Sequence, residues 1–202
     1  IVAAKRTPMG GFQGVLADVS APRLGAVAIQ AALAQSGLAG TDLSEVIMGN
    51  VLPAGLGQAP ARQAALFAEL PQQVGATTIN KVCGSGLKAV MLATDILRAG
   101  SGYAVVAGGM ESMTNAPYLL KKARAGFRMG HDQIYDHMML DGLEDAYEGK
   151  AMGTYAQTTA DAYGLTREAM DEFALASLTR AQTAIRDGLF QQEIVPVTYA
   201  TR

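Results

Sequence analysis

Over the first hundred residues, short apolar runs alternate with longer stretches in which apolar residues recur every three or four positions. Val46-Ile47-Met48 predicts a strand over 45–50, the β-branched residues of 77–82 a second, and Tyr103-Ala104-Val105-Val106-Ala107 a third. Ile1-Val2-Ala3-Ala4 reads as a strand as well. Helices are expected over 23–35, 59–70 and 87–98. Leu24, Val27, Ala28 and Ala31 share a face of the first, and Gly37 is placed to end it. Pro60 suits the first turn of the second. Leu87, Val90, Met91, Thr94 and Leu97 lie at helical spacing in the third. This alternation predicts an α/β fold, a mostly parallel sheet with helices on both faces.

Beyond about residue 110 the rhythm breaks. The stretches 110–122 and 125–150 hold Gly, Met and His without a sustained period and read as loops and short helices. Two helices follow, over 151–163 and 166–187, with Thr166 as N-cap of the second and Gly188 as its stop. A strand is expected over 194–198. Charge divides in the same place: residues 1–113 carry 7 basic and 6 acidic side chains, residues 114–202 carry 9 and 12. The chain therefore reads as an α/β core over 1–113 and a more exposed segment over 114–202.

Composition then removes whole classes of function. Of 202 residues, 50% are apolar, too many for a disordered chain, and a net charge of −2 offers nucleic acid no electrostatic attraction. No apolar run reaches the roughly 18–20 residues of a membrane span, and no signal peptide opens the chain. The single cysteine, Cys83, excludes an intrachain disulfide and a cysteine-cluster zinc site, which points to a reducing, cytoplasmic setting. His131 and His137 lie six apart with no third ligand motif, so a solvated loop is expected there rather than a metal site. Both ends read as cut, and further chain is expected beyond them.

Candidate chemistry centres on Cys83. It follows a β-branched strand and precedes a helix, with Gly84 and Gly86 beside it. Unpaired N–H groups and the positive end of the helix dipole favour a thiolate there, and the glycines let a carbonyl approach the backbone. Cys83 is thus a candidate nucleophile for acyl transfer, its own N–H a candidate oxyanion donor. A small buried hydrophobe at a strand-to-helix turn is the plainer alternative. Gly84-Ser85-Gly86-Leu87-Lys88-Ala89 also fits a relaxed dinucleotide-binding pattern, which keeps an oxidoreductase open. That pattern lacks its acidic partner, since Asp95 falls mid-helix and Glu111 beyond Gly108-Gly109.

The residues around Cys83 also carry a family likeness. Asn80-Lys81-Val82-Cys83-Gly84-Ser85-Gly86-Leu87-Lys88-Ala89 resembles the nucleophile segment of thiolases. The likeness recurs in Lys5-Arg6-Thr7-Pro8-Met9-Gly10, in Met48-Gly49-Asn50-Val51-Leu52, and in Gly57-Gln58-Ala59-Pro60-Ala61-Arg62-Gln63. It returns in Ala107-Gly108-Gly109-Met110-Glu111-Ser112-Met113, in Met152-Gly153-Thr154, and in Glu193-Ile194-Val195-Pro196-Val197. These ordered blocks cover essentially the whole chain and are most similar to the acetoacetyl-CoA branch of the family.

The resemblance implies a thiolase-like layered fold, with 114–202 as an inserted loop domain over the coenzyme A site. It implies a Claisen condensation of two acetyl-CoA units, or the reverse thiolysis, through a thioester on Cys83. Leu143 and Met152 match positions lining the thioester pocket, while Ala151 stands where the family usually has His. No resident cofactor is implied, because coenzyme A thioesters, acetyl-CoA and other short acyl-CoAs, are the substrates. A homodimer or homotetramer is implied as the assembly. The family's Gly-His-Pro and Asn-Glu-Ala-Phe segments and second cysteine are missing here, so residues 1–202 resemble an N-terminal half, inactive by itself. A non-catalytic fragment or interaction module is the remaining alternative.

Overall fold

A computed structural model describes residues 1–199. Three parallel strands form the central sheet: β1 (Glu45–Gly49), β2 (Gly75–Ile79) and β3 (Val105–Gly109), in the order β2-β1-β3. Their register brings Gly49 level with Ile79 on one side and with Gly109 on the other. Helix α1 (Ala21–Ser36) precedes β1, α2 (Pro60–Phe67) joins β1 to β2, and α3 (Ser85–Arg98) joins β2 to β3. The two crossovers run in opposite directions across the sheet. Right-handed connections then put α2 and α3 on opposite faces, and α2 packs on β1 and β2 while α3 packs on β1 and β3. The expected α/β class is what the chain adopts.

Small residues let these layers approach closely. Ala61, Ala64 and Ala65 of α2 are buried with Val46 and Met48 of β1, Ile29 of α1 and Met110. A Cβ on Gly25 in α1 would lie 2.8 Å from Met110 Sδ and 3.4 Å from Ala64 Cβ. Gly37 takes φ 72° and ends α1 as expected, and Pro60 opens α2. On the other face α3 buries Ser85, Ala89 and Ala93, whereas Leu87, Met91 and Leu97 point to solvent. The larger apolar stripe read from the sequence is therefore the outer face of the helix.

Residues 114–199 hold less regular structure. Tyr118–Leu119 (β4) and Tyr135–Asp136 (β5) form a short antiparallel ladder, followed by a single π-helical turn, Met139–Leu143. Helices α4 (Met152–Ala162) and α5 (Arg167–Arg186) match the expected pair. The N–H of Ala169 donates to Thr166 Oγ1, the predicted N-cap. Two expected strands do not form. Arg6 and Ile194 make one isolated parallel bridge, with no ladder over 1–4 or 194–198. Apolar sequence alone does not make a strand without a neighbour to satisfy its N–H and C=O groups. Among the described residues, no helix is long and apolar enough to cross a membrane.

Candidate active site

Cys83 sits where β2 gives way to α3, and the turn between them is unusual. The strand ends at Ile79, three residues before the predicted boundary, and Val82 takes φ 46°. A β-branched residue in the left-handed region costs on the order of 1–3 kcal/mol. Hydrogen bonds hold it there. The N–H of Gly84 donates to Lys81 O (3.1 Å) and that of Ser85 to Val82 O (3.0 Å). Asn80 Oδ1 accepts the Val82 N–H at 2.8 Å. The Ser85 hydroxyl accepts the Lys81 N–H (2.8 Å) and donates to Val82 O (2.6 Å). None of these bonds uses the Cys83 N–H. Cys83 itself is exposed, which removes the reading of it as a buried hydrophobe.

The exposed thiol opens onto a cavity of about 400 Å³ at the C-terminal ends of the three strands. In open α/β sheets this end is where ligands bind. Gly49, Gly86 and Gly109 line its floor, and Leu52, Met113 and Leu143 are among the residues of its wall. At Gly49 the floor has to be glycine: a Cβ there would stand 2.6 Å from Ser85 Cβ and 2.9 Å from Gly86 N, whereas one on Gly109 would make ordinary contact, 3.4 Å from Gly86 Cα. The helix start therefore rests directly on the strand ends, and Gly108-Gly109 belong to β3 rather than to a turn after it.

Of the pocket residues suggested by the family likeness, Leu143 lines this cavity together with Cys83. Met152 lies at the start of α4, 48% exposed, and is not part of the cavity lining. Sequence reading missed several residues that shape the site. Asn50, buried after β1, donates through Nδ2 to Glu111 Oε1 (2.7 Å) and Met110 O (3.2 Å). Glu111 also accepts the N–H groups of Val51 (2.8 Å) and Leu52 (3.0 Å), tying the end of β1 to the segment after β3. Two apolar runs end in Gly49-Asn50 and in Gly109-Met110-Glu111, and the parallel pairing of β1 with β3 brings those ends side by side.

That latch also weakens the dinucleotide alternative, because the one acid just beyond β3 is committed to the protein's own main chain. His137 departs from expectation too. It is 5% exposed rather than solvated, with Nδ1 2.6 Å from Asp141 Oδ2 and Nε2 accepting the Ala54 N–H at 3.4 Å. The ring thus joins the loop after β1 to the π-helical turn that carries Leu143. His131 stays exposed. Among the described residues no group of three or more His, Cys, Asp or Glu side chains is arranged to hold a metal ion.

Comparison with known proteins agrees with the residues around Cys83. The family model described as thiolase, N-terminal domain, matches residues 1–202. An acetyl-CoA acetyltransferase of Cupriavidus necator is 54% identical over 202 residues, covering 100% of this chain and 51% of that protein. The acetyl-CoA acetyltransferases of Escherichia coli K12 and Saccharomyces cerevisiae are 52% and 49% identical, with 100% and 98% of this chain covering 52% and 50% of theirs. The chain spans about half the length of these curated relatives. With its strand-to-helix cysteine, glycine floor and whole-length match, this chain belongs to the thiolase family as its N-terminal domain.

Proposed function

We propose that this chain supplies the acyl-carrying half of an acetyl-CoA acetyltransferase. The observation that carries the reading is Cys83, an exposed thiol on a braced turn, facing an apolar cavity floored by glycine. The Cys83 thiolate attacks the thioester carbonyl of an acyl-CoA, coenzyme A leaves as its thiolate, and the acyl group rests on Sγ. A second acetyl-CoA, having given its α-proton to a base, attacks that carbonyl; the new carbon–carbon bond forms and Cys83 leaves as thiolate. Thiolysis is the same path reversed. The Cys83 N–H, unused by the turn, is the candidate oxyanion donor.

The bases belong elsewhere in the whole protein. Among the described residues the cavity lining contains no histidine, and its one carboxylate, Glu111, is engaged with Asn50, Val51 and Leu52. The remainder of the chain is therefore a required partner, and this half by itself is inactive. In this reading residues 114–202 cover the coenzyme A arm, with Leu143 at the thioester and Met152 further out. No resident cofactor takes part. Exposed Leu87, Met91 and Leu97 on α3 support burial by the rest of the chain or by further copies, in a homodimer or homotetramer. A lone exposed thiol is in keeping with a reducing cytoplasm.

The test uses the full-length enzyme and acetyl-CoA, with intact-mass and peptide analysis after acid quench. One acetyl group per chain is expected, on the peptide containing Cys83. Cys83→Ala should abolish the label and lower turnover by about 10⁴-fold or more. A label on another residue, or turnover kept by Cys83→Ala, overturns the reading.

A further inference from the structure

The conformation that exposes Cys83 is one its neighbour does not favour. Val82 has a positive φ yet no polar side chain to stabilise it. At 50% exposure it is not wedged into place by packing either. What brackets it is one buried hydroxyl. Ser85 is 4% exposed, and its Oγ reaches back across the turn to the 80–81 and 82–83 peptide units, accepting from Lys81 N–H and donating to Val82 O, while Asn80 Oδ1 accepts the Val82 N–H between them. Its Cβ faces Gly49 with no room for a further carbon between, so the hydroxyl is presented from a fixed base on β1.

We propose that Ser85 is the positioning residue for Cys83, its hydroxyl holding Val82 in the left-handed conformation that places Sγ at the cavity. The proposal rests on the reading of Cys83 as the acyl carrier. Without the hydroxyl, the Lys81 N–H loses its partner and Val82 O keeps only the Ser85 N–H, so the left-handed conformation of Val82 is less firmly held and Cys83 turns more often away from the bound thioester. Misplacement of a nucleophile by about 1 Å can cost on the order of 10²-fold in rate. The loss belongs to the acylation step, because Ser85 is 4% exposed and offers the cavity little surface for gripping coenzyme A.

The experiment compares the full-length enzyme with Ser85→Ala, Ser85→Thr and the double variant Val82→Gly/Ser85→Ala. It measures the rate of acetyl transfer to Cys83 by rapid quench, the KM for acetyl-CoA, and thermal stability. Ser85→Ala should acetylate at least about tenfold more slowly with KM within about twofold, and Ser85→Thr, which keeps a hydroxyl, should recover most of the rate. Glycine enters the left-handed region freely, so the double variant should regain rate that Ser85→Ala lost. Acetylation by Ser85→Ala at the parent rate overturns the proposal, as does a double variant no faster than Ser85→Ala. If Ser85→Ala does not fold, recovery of acetylating protein in the double variant supports the proposal and its failure overturns it. Cys83→Ala run alongside separates the two ideas: acetyl uptake by that variant sinks the role of Cys83 whatever Ser85 does.

Discussion

The layer built on β1 and the segment beyond residue 113 solve the same problem in opposite ways. Around β1, alanine and glycine bring backbone close to backbone, and Val46, Ala61 and Ala64 are fully enclosed. Past residue 113 the elements are less regular and more exposed. Helix α5 runs for 20 residues without one buried side chain, and Phe173, Leu175, Leu178 and Ile185 face outward. It is held by local devices: the Thr166 cap and the Arg167–Asp171 pair at 2.9 Å. Tight contact makes the first region intolerant of added volume, whereas α5 in the second depends on bonds made within a turn.

The sharpest way to break that contrast is to add one carbon at its tightest point. Gly49→Ala places a methyl 2.6 Å from Ser85 Cβ and 2.8 Å from its carbonyl carbon, where backbone has to move. A loss of roughly 1–3 kcal/mol or more is expected, with slowed acetylation, in thermal melts and quench assays on full-length enzyme. Gly25→Ala is the internal control, since there the neighbour at 2.8 Å is the flexible end of Met110 and can yield. Equal damage from both would mean that the floor is no tighter than the rest of the core.

A middling effect is expected in the outer region. Thr166→Ala removes the acceptor for the Ala169 N–H and should cost about 1 kcal/mol of helix stability. Hydrogen exchange should quicken in the first turn of α5 while the amides of β1 stay protected. Faster exchange across the sheet would show that the two regions unfold together.

The smallest expected effect depends on pH. Asp145, bonded first to the Glu148 N–H and also to that of Tyr147, is held below its ordinary carboxylate value. Tyr155 is pushed up to about 12, by desolvation first and then by its hydrogen bond to Asp145. The Asp145 contribution is thus complete above the ordinary carboxylate range and lost as pH falls through the depressed value. The Tyr155 contribution is complete below its ordinary value of 10.0 and lost as pH rises through about 12. Phenolate absorbance of the full-length enzyme minus that of Tyr155→Phe should appear at the higher value; a difference complete near the ordinary one would show the loop open.

How far all this could be read in advance depended on whether the cause was local. Alternating apolar runs placed β1, α1 and α2 within a few residues, and Gly37 and Thr166 act where they were expected to, since periods and caps are properties of neighbouring residues. Cys83 was visible for the same reason. Val82 was not, because nothing in a valine announces a positive φ; Asn80 and the hydroxyl of Ser85, three positions later and anchored over another strand, together make it tenable. His137 failed similarly, its burial being set by Ala54 and Asp141 across a fold boundary. The stripe on α3 had the right period and the wrong direction, since period alone does not say which side a sheet will occupy.

The glycine floor also bears on how such a pocket can change over generations. Gly49 is pressed against Ser85, so a heavier residue there collides with main chain before it meets any ligand. Leu52, Met113 and Leu143 on the wall end in side chains that can be exchanged for shorter or longer ones. A descendant lineage can therefore widen, narrow or reshape the mouth by single steps that leave the fold standing. The contact of Gly49 with the start of α3 is inherited unchanged.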